Sequence, residues 1–202
     1  MRPRLPRLHA ITDERIARRG DLDAVARALA ASGGPDLAFH ARGRALSGLE
    51  HYDLAFHLSS VPSSVFVNDR LDVALAVKAM GVQLGAASLP VSAARRLDAA
   101  WWIGKSVHDF AAAEAAKAEG ADYLLVGPVY PTATHPDRPP LGLQTLGEIS
   151  RLGLPVIAIG GISPARARAV RAAGAYGAAA IRALWDAADP ADAARRMSEE
   201  LQ

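Results

Sequence analysis

The sequence predicts one (β/α)8 barrel, and three observations carry that expectation. Short apolar segments alternate strictly with helix-patterned segments along the whole chain, the arrangement of parallel βαβ units. Eight such pairs fit into 202 residues, where an open doubly wound sheet would use fewer strands. The apolar segments run on without a polar face, as strands covered on both sides do, and polar residues gather just past their ends.

The first strand is expected at 8–11, ending in Thr12-Asp13, and its helix at 22–31, closed by Gly33-Gly34-Pro35. The second strand, 37–41, runs into Arg42-Gly43-Arg44, and the helix at 49–58 carries a stripe of Leu, Tyr and Phe. The third, 65–67, enters Asn68-Asp69, where Asp69 is placed to cap a helix over 71–80. The fourth strand is 81–85 with a helix at 90–99, and the fifth is 101–106, leading through Val107-His108-Asp109 into the alanine-rich helix 110–119. The sixth strand, 123–126, opens the longest irregular segment, 127–141, whose five prolines mark a loop of the kind that carries function.

After a helix at 143–151 comes the run Leu154-Pro155-Val156-Ile157-Ala158-Ile159-Gly160-Gly161-Ile162-Ser163. It reads as a buried seventh strand that stops at two glycines and a helix start, Ser163-Pro164, with a cap residue followed by proline at the first helical position. Glycine backbone can approach a ligand closely, and backbone donors beside a helix N-terminus favour phosphate. A helix at 164–173, an eighth strand at 178–181 and a last helix from 190 complete the chain. Phosphate commonly binds after strands seven and eight of such barrels.

Half of the residues are hydrophobic, enough for one substantial core, and no linker-like stretch divides the chain, so 1–202 reads as one domain. The formal charge of +2 comes from scattered arginines without a basic run and interleaved aromatics, which gives no sign of nucleic-acid binding. The absence of cysteine excludes disulfides and thiolate metal sites. The first seven residues lack the apolar core of a signal peptide, and no run approaches the roughly 18 apolar residues of a membrane span. A cytoplasmic protein is the default expectation, with homo-oligomerisation left open.

Past the strand ends stand Thr12, His40 with Arg42 and Arg44, Asn68 with Asp69, Ser88, Ser106 with His108, Thr132 to His135, Gly160-Gly161 and Arg182. Arginines in a chain with otherwise apolar strands point to a small anionic ligand. Arg42 and Arg44 form either a fork for phosphate or a solvated pair. Asp69 serves either a divalent metal or a helix cap, and His40 is either a core histidine or a proton carrier. His135, in the long loop, is expected to be exposed and functional, while His9, His51 and His57 read as structural.

The order of motifs carries more than any one of them. Ala10-Ile11-Thr12-Asp13, Val67-Asn68-Asp69-Arg70, Gly81-Val82-Gln83-Leu84-Gly85, Gly104-Lys105-Ser106-Val107-His108, Val126-Gly127-Pro128-Val129-Tyr130-Pro131-Thr132 and Ile157 to Ile162 follow in sequence. Together they resemble the thiamine-phosphate synthase family and its TenI-type relatives over nearly the whole chain. The resemblance implies a barrel that joins hydroxymethylpyrimidine diphosphate to a thiazole phosphate and releases pyrophosphate, with Mg²⁺. By position, Asn68, Asp69, Ser106, Thr132, Thr134, Gly160 and Gly161 match the synthase pattern, and Arg42 matches an arginine that contacts pyrophosphate.

The chain also departs from that pattern. His40 and Arg44 stand where the synthase has glutamine and lysine, and Ser88 stands where it has a second metal-binding aspartate. His135 replaces a lysine and Arg182 a serine. A weakened metal pair and added histidines imply the TenI branch, whose known alternative activity is metal-independent tautomerisation of a thiazole carboxylate phosphate. The expectation is therefore a TenI-like isomerase using His40 or His135, although the histidine associated with that activity aligns with Pro128. A synthase with an altered Mg²⁺ site and a non-catalytic ligand-binding protein are the alternatives.

Overall fold

A computed structural model describes residues 2–132 and 139–202. The eight strands are β1 (Leu8–Ile11), β2 (Leu37–Ala41), β3 (Ser64–Asn68), β4 (Gly81–Leu84), β5 (Trp102–Val107), β6 (Tyr123–Val126), β7 (Val156–Ile159) and β8 (Gly177–Ala180). They close into one barrel in sequence order, and β8 pairs in parallel with β1 through Leu8↔Ala178 and Ala10↔Ala180. The expected (β/α)8 architecture is the observed one.

The helices among the described residues are α1 (Glu14–Ala17), α2 (Leu22–Gly33), α3 (Gly48–Ser59), α4 (Leu71–Ala76), α5 (Val91–Leu97), α6 (Phe110–Ala118), α7 (Gly142–Ser150), α8 (Pro164–Ala172), α9 (Arg182–Trp185) and α10 (Pro190–Glu200). The short α1 and α9 are additions to the expected eight. Helix α3 begins on a capping box in which Ser47 and Glu50 satisfy each other's backbone N–H groups. Helix α4 is shorter than the apolar pattern implies, because Val77 closes it and Lys78 turns left-handed at φ 53°.

Two apolar layers follow from the strand alternation. Leu8, Phe39, Val67, Val82 and Ile103 point outward under the helices. Ile11, Phe66, Tyr123, Leu125 and Ile157 fill the barrel interior, together with the wholly buried polar residues His9, His40 and Gln83. Gly104 makes room for this interior, since a Cβ there would lie 2.2 Å from the Tyr123 ring.

At the N-terminal end of the barrel, Asp122 gathers three partners on one carboxylate oxygen: Arg2 at 2.9 Å, Arg95 at 2.7 Å and the Ile103 N–H at 2.8 Å. Burial alone would raise this acid, but the bonds from Arg2, Arg95 and Ile103 outweigh it and hold it below the usual carboxylate value. A depressed folded pKa contributes stability that is present at neutral pH and is lost as pH falls below the unfolded value of 3.8. Asp122→Asn is expected to cost about 2 kcal/mol at pH 7. Urea titrations of the two proteins should then converge as the pH is lowered through that acid window.

Candidate active site

A cavity of about 1140 Å³ opens at the C-terminal end of the barrel, lined by residues that directly follow the strands. Arg42 and Arg44 enter it after β2, Asn68 and Asp69 at the end of β3, and Ser88 from the loop after β4. Ser106 comes from β5 and His108 from just beyond it, Thr132 from the segment after β6, Gly160 and Gly161 from the end of β7, and Arg182 from the start of α9. Nearly every candidate read from the strand ends is brought to one place.

The arginine loop is held rigidly. Thr12 Oγ1 accepts the Arg42 N–H at 2.9 Å, Glu14 accepts the Ala45 N–H at 2.9 Å, and the His51 ring nitrogen Nε2 bonds Ala41 O at 2.9 Å. Arg42 is half-buried, and burial together with the neighbouring Arg44 charge lowers its pKa from the usual arginine value. Neither arginine forms an ion pair within 4 Å among the described residues, and the same is true of Arg182. Clustered cations favour an anion, and Glu14, Asp69 and Asp13 act on Arg42 only beyond ion-pair distance. Arg42→Ala is expected to weaken binding of inorganic pyrophosphate about 30-fold, which titration calorimetry reads directly.

Asp69 does not cap the following helix; Arg70 occupies the N-cap position without a side-chain bond. Its backbone is left-handed at φ 62°, a conformation aspartate tolerates better than most residues. That twist turns the carboxylate toward the β4 loop. There the Gly85 N–H donates to Asp69 Oδ1 at 2.9 Å and to Ser88 Oγ at 2.7 Å, and the Ser88 hydroxyl donates to the same carboxylate oxygen. Ser88 therefore supports Asp69 rather than adding charge beside it.

Gly160 and Gly161 line the opposite side through backbone alone, at φ 98° and 64°. The β6 loop is laced onto them: Val129 N–H donates to Ile159 O at 2.8 Å and Tyr130 N–H to Gly160 O at 3.0 Å. The far end of that segment returns to its start, with Leu141 N–H donating to Pro128 O at 2.8 Å and Gly142 N–H to Val129 O at 3.1 Å. Ser163 is the N-cap of α8 with Pro164 at its first position, although its side chain makes no capping bond.

The histidines fall differently from expectation. His40, read as a candidate proton carrier, is 0 % exposed inside the barrel and does not line the cavity. Strand phase decides this: His40 follows Ala38 on the inward face, one layer below the mouth. Thr134 and His135 lie outside the described residues. His108, noted beyond strand five but not chosen, does reach the cavity. Its Nδ1 lies 2.5 Å from the Gly127 carbonyl, which must accept, so neutral His108 carries its proton on Nδ1 and leaves Nε2 as an acceptor. Its signal was its spacing, two residues after Ser106 and directly past the end of β5.

The family model for thiamine monophosphate synthase matches residues 8–184, from the first strand into α9. The chain belongs to the thiamine monophosphate synthase family. Thiamine-phosphate synthase from Salinispora tropica is 42% identical over 205 residues, covering 98% of this chain and 98% of the relative. That from Methanoculleus marisnigri is 41% identical over 201 residues, covering 96% and 94%. Among solved structures, thiamine phosphate pyrophosphorylase from Pyrococcus furiosus superposes with a TM-score of 0.84 at 35% identity, over 96% of this chain and 95% of that one. A 3-hexulose-6-phosphate synthase from Salmonella typhimurium, 16% identical with a TM-score of 0.75, shares the barrel alone. Within the thiamine monophosphate synthase family, the relatives stand closer to the synthase than to the TenI-like isomerase that the departures in sequence suggested.

Proposed function

We propose that this protein is a thiamine-phosphate synthase, joining hydroxymethylpyrimidine diphosphate to a thiazole phosphate. What supports this above all is one cavity with two anion-binding sides in a chain about 40% identical to named synthases over its whole length. Arg42 and Arg44 face the diphosphate, and Gly160, Gly161 and Arg182 face the phosphate of the thiazole, so the two reacting halves meet across the barrel mouth. The C–O bond between the pyrimidine methylene and the diphosphate breaks, with its electron pair leaving on pyrophosphate. The thiazole nitrogen lone pair then forms the new C–N bond. The arginines stabilise the charge that develops on the departing oxygen, a role fixed cations perform best in a water-poor cavity.

No step of this reaction moves a proton through a histidine, which accords with the burial of His40. No group of three or more acidic or histidine ligands for a metal occurs among the described residues. Asp69 alone, with Ser88 behind it, still fits Mg²⁺ carried in by the diphosphate, since that ion binds through one or two carboxylates plus substrate phosphates. Bound there, Mg²⁺ supplies charge neutralisation to the leaving group.

The isomerase reading retains one observation, the His108 ring at the cavity wall with its Nδ1 held on the Gly127 carbonyl. Purified protein given both substrate halves with Mg²⁺ is expected to form thiamine phosphate and pyrophosphate, and to form neither without the metal. Conversion of the thiazole carboxylate isomer without metal, abolished in His108→Asn and unaccompanied by condensation, would establish the isomerase instead. Binding of either half without turnover would leave a non-catalytic ligand-binding protein. No helix among the described residues is long and apolar enough to cross a membrane.

A further inference from the structure

One arginine near the glycine pair is bonded to backbone instead of to a carboxylate. Arg166 is the third residue of α8, and its guanidinium lies 4.5 Å from the centre of the Tyr130 ring. From there it donates to Gly161 O at 2.7 Å. Two residues along the same helix Arg168 is paired with Glu200, whereas Arg166 makes no ion pair among the described residues. The Arg166 side chain is not part of the cavity wall.

The bond fixes more than a side chain. Gly160 O accepts from Tyr130 N–H at 3.0 Å, so two successive carbonyls, those of Gly160 and Gly161, are engaged by Tyr130 and by the guanidinium stacked on it. A trans peptide carries its N–H opposite its C=O. The N–H groups of Gly161 and Ile162 therefore face away from Tyr130. Both residues line the cavity, and neither amide donates to an acceptor among the described residues. Consecutive free amides of this kind form a concave seat for an oxyanion.

Glycine is also where such a seat is most easily lost. Gly161 sits at φ 64°, and rotation of the peptide that follows it would put a carbonyl oxygen where the Ile162 N–H now stands. We propose that Arg166 is a positioning residue: its charge-assisted bond to Gly161 O locks that peptide with the Ile162 N–H toward the cavity, and its stacking on Tyr130 ties the orientation to the loop after β6. This deepens the phosphate side of the synthase reading, on which it rests for the ligand, the thiazole phosphate. The orientation of the peptide itself does not depend on that reading.

Two measurements test it. In amide ¹H–¹⁵N spectra with inorganic phosphate as the probe, the Gly161 and Ile162 signals of the unaltered protein are expected to move downfield. Arg166→Met is expected to displace the Ile162 signal of the free protein and to weaken phosphate about tenfold, while shifting the melting temperature by less than about 2 °C. Arg166→Lys, which brings an ammonium donor to the same carbonyl, is expected to recover most of the affinity. In kinetics, Arg166→Met is expected to raise KM for the thiazole phosphate about tenfold, with kcat and KM for the pyrimidine diphosphate changed less than about twofold. Unmoved amides in the unaltered protein, an Ile162 signal that stays in place in Arg166→Met, or failure of lysine to recover affinity overturns the proposal. A fall in kcat or melting temperature that matches the loss of affinity makes Arg166 merely structural and overturns it too. If the unaltered protein makes no thiamine phosphate, the proposed reaction falls, while the phosphate titration still decides the role of Arg166.

Discussion

Asp69→Asn is expected to lower kcat/KM of the condensation at least about 100-fold while leaving the fold intact, a loss of roughly 2.7 kcal/mol in transition-state stabilisation. The substitution keeps an oxygen at Oδ1, so the Gly85 N–H and the Ser88 hydroxyl retain their acceptor. What disappears is the negative charge, and asparagine tolerates the left-handed backbone at 69 as well as aspartate does. A metal shared between one protein carboxylate and a diphosphate gains no second anion from Ser88, which is a hydroxyl. The check is a rate measurement across a Mg²⁺ series beside a thermal melt. Activity within threefold of the unaltered enzyme would remove Asp69 from the metal-binding role. Ser88→Asp, which adds a second carboxylate at the same place, is expected to lower the Mg²⁺ concentration needed for half-maximal rate.

Gly160→Ala is expected to destabilise the protein by about 3 kcal/mol, lowering the midpoint of thermal unfolding by roughly 10 °C. Two costs combine. The residue sits at φ 98°, where a side chain is strained, and its Cβ would lie 2.6 Å from the Pro128 Cα. The clash is with backbone, so no rotamer change relieves it. The loop after β6 must then move off the end of β7, separating Tyr130 N from Gly160 O and widening the phosphate side of the cavity. Affinity for the thiazole phosphate should fall with stability, and differential scanning calorimetry with and without that ligand separates the two effects. An unchanged melting temperature would show that the two loops are not locked together as described.

Barrel, strand order and most of the cavity wall were legible because each rests on a signal that survives in one dimension. Apolar runs mark strands, glycine and proline mark their ends, and the C-terminal ends of parallel strands must share one face. What escaped was phase within a strand. When both faces are buried, nothing in Leu37-Ala38-Phe39-His40-Ala41 distinguishes inward from outward, so His40 was open to being placed at the mouth although it lies one layer down. His9 reads as structural from the sequence, and its partner 31 residues away becomes visible only once β1 and β2 are aligned. Asp69 illustrates a different limit. An acidic residue before a helix looks like a cap, and only the observed φ of 62° shows that it faces the neighbouring loop instead.

The closure of the segment after β6 has a consequence for how such a protein changes over time. Its two ends are stitched together by the bonds from Leu141 to Pro128 and from Gly142 to Val129, so chain leaves the barrel and re-enters it at one spot. Residues added, lost or exchanged between those stitches leave the strand ladder untouched. Selection can therefore rewrite the part of the sequence richest in proline without renegotiating the stability of the scaffold beneath.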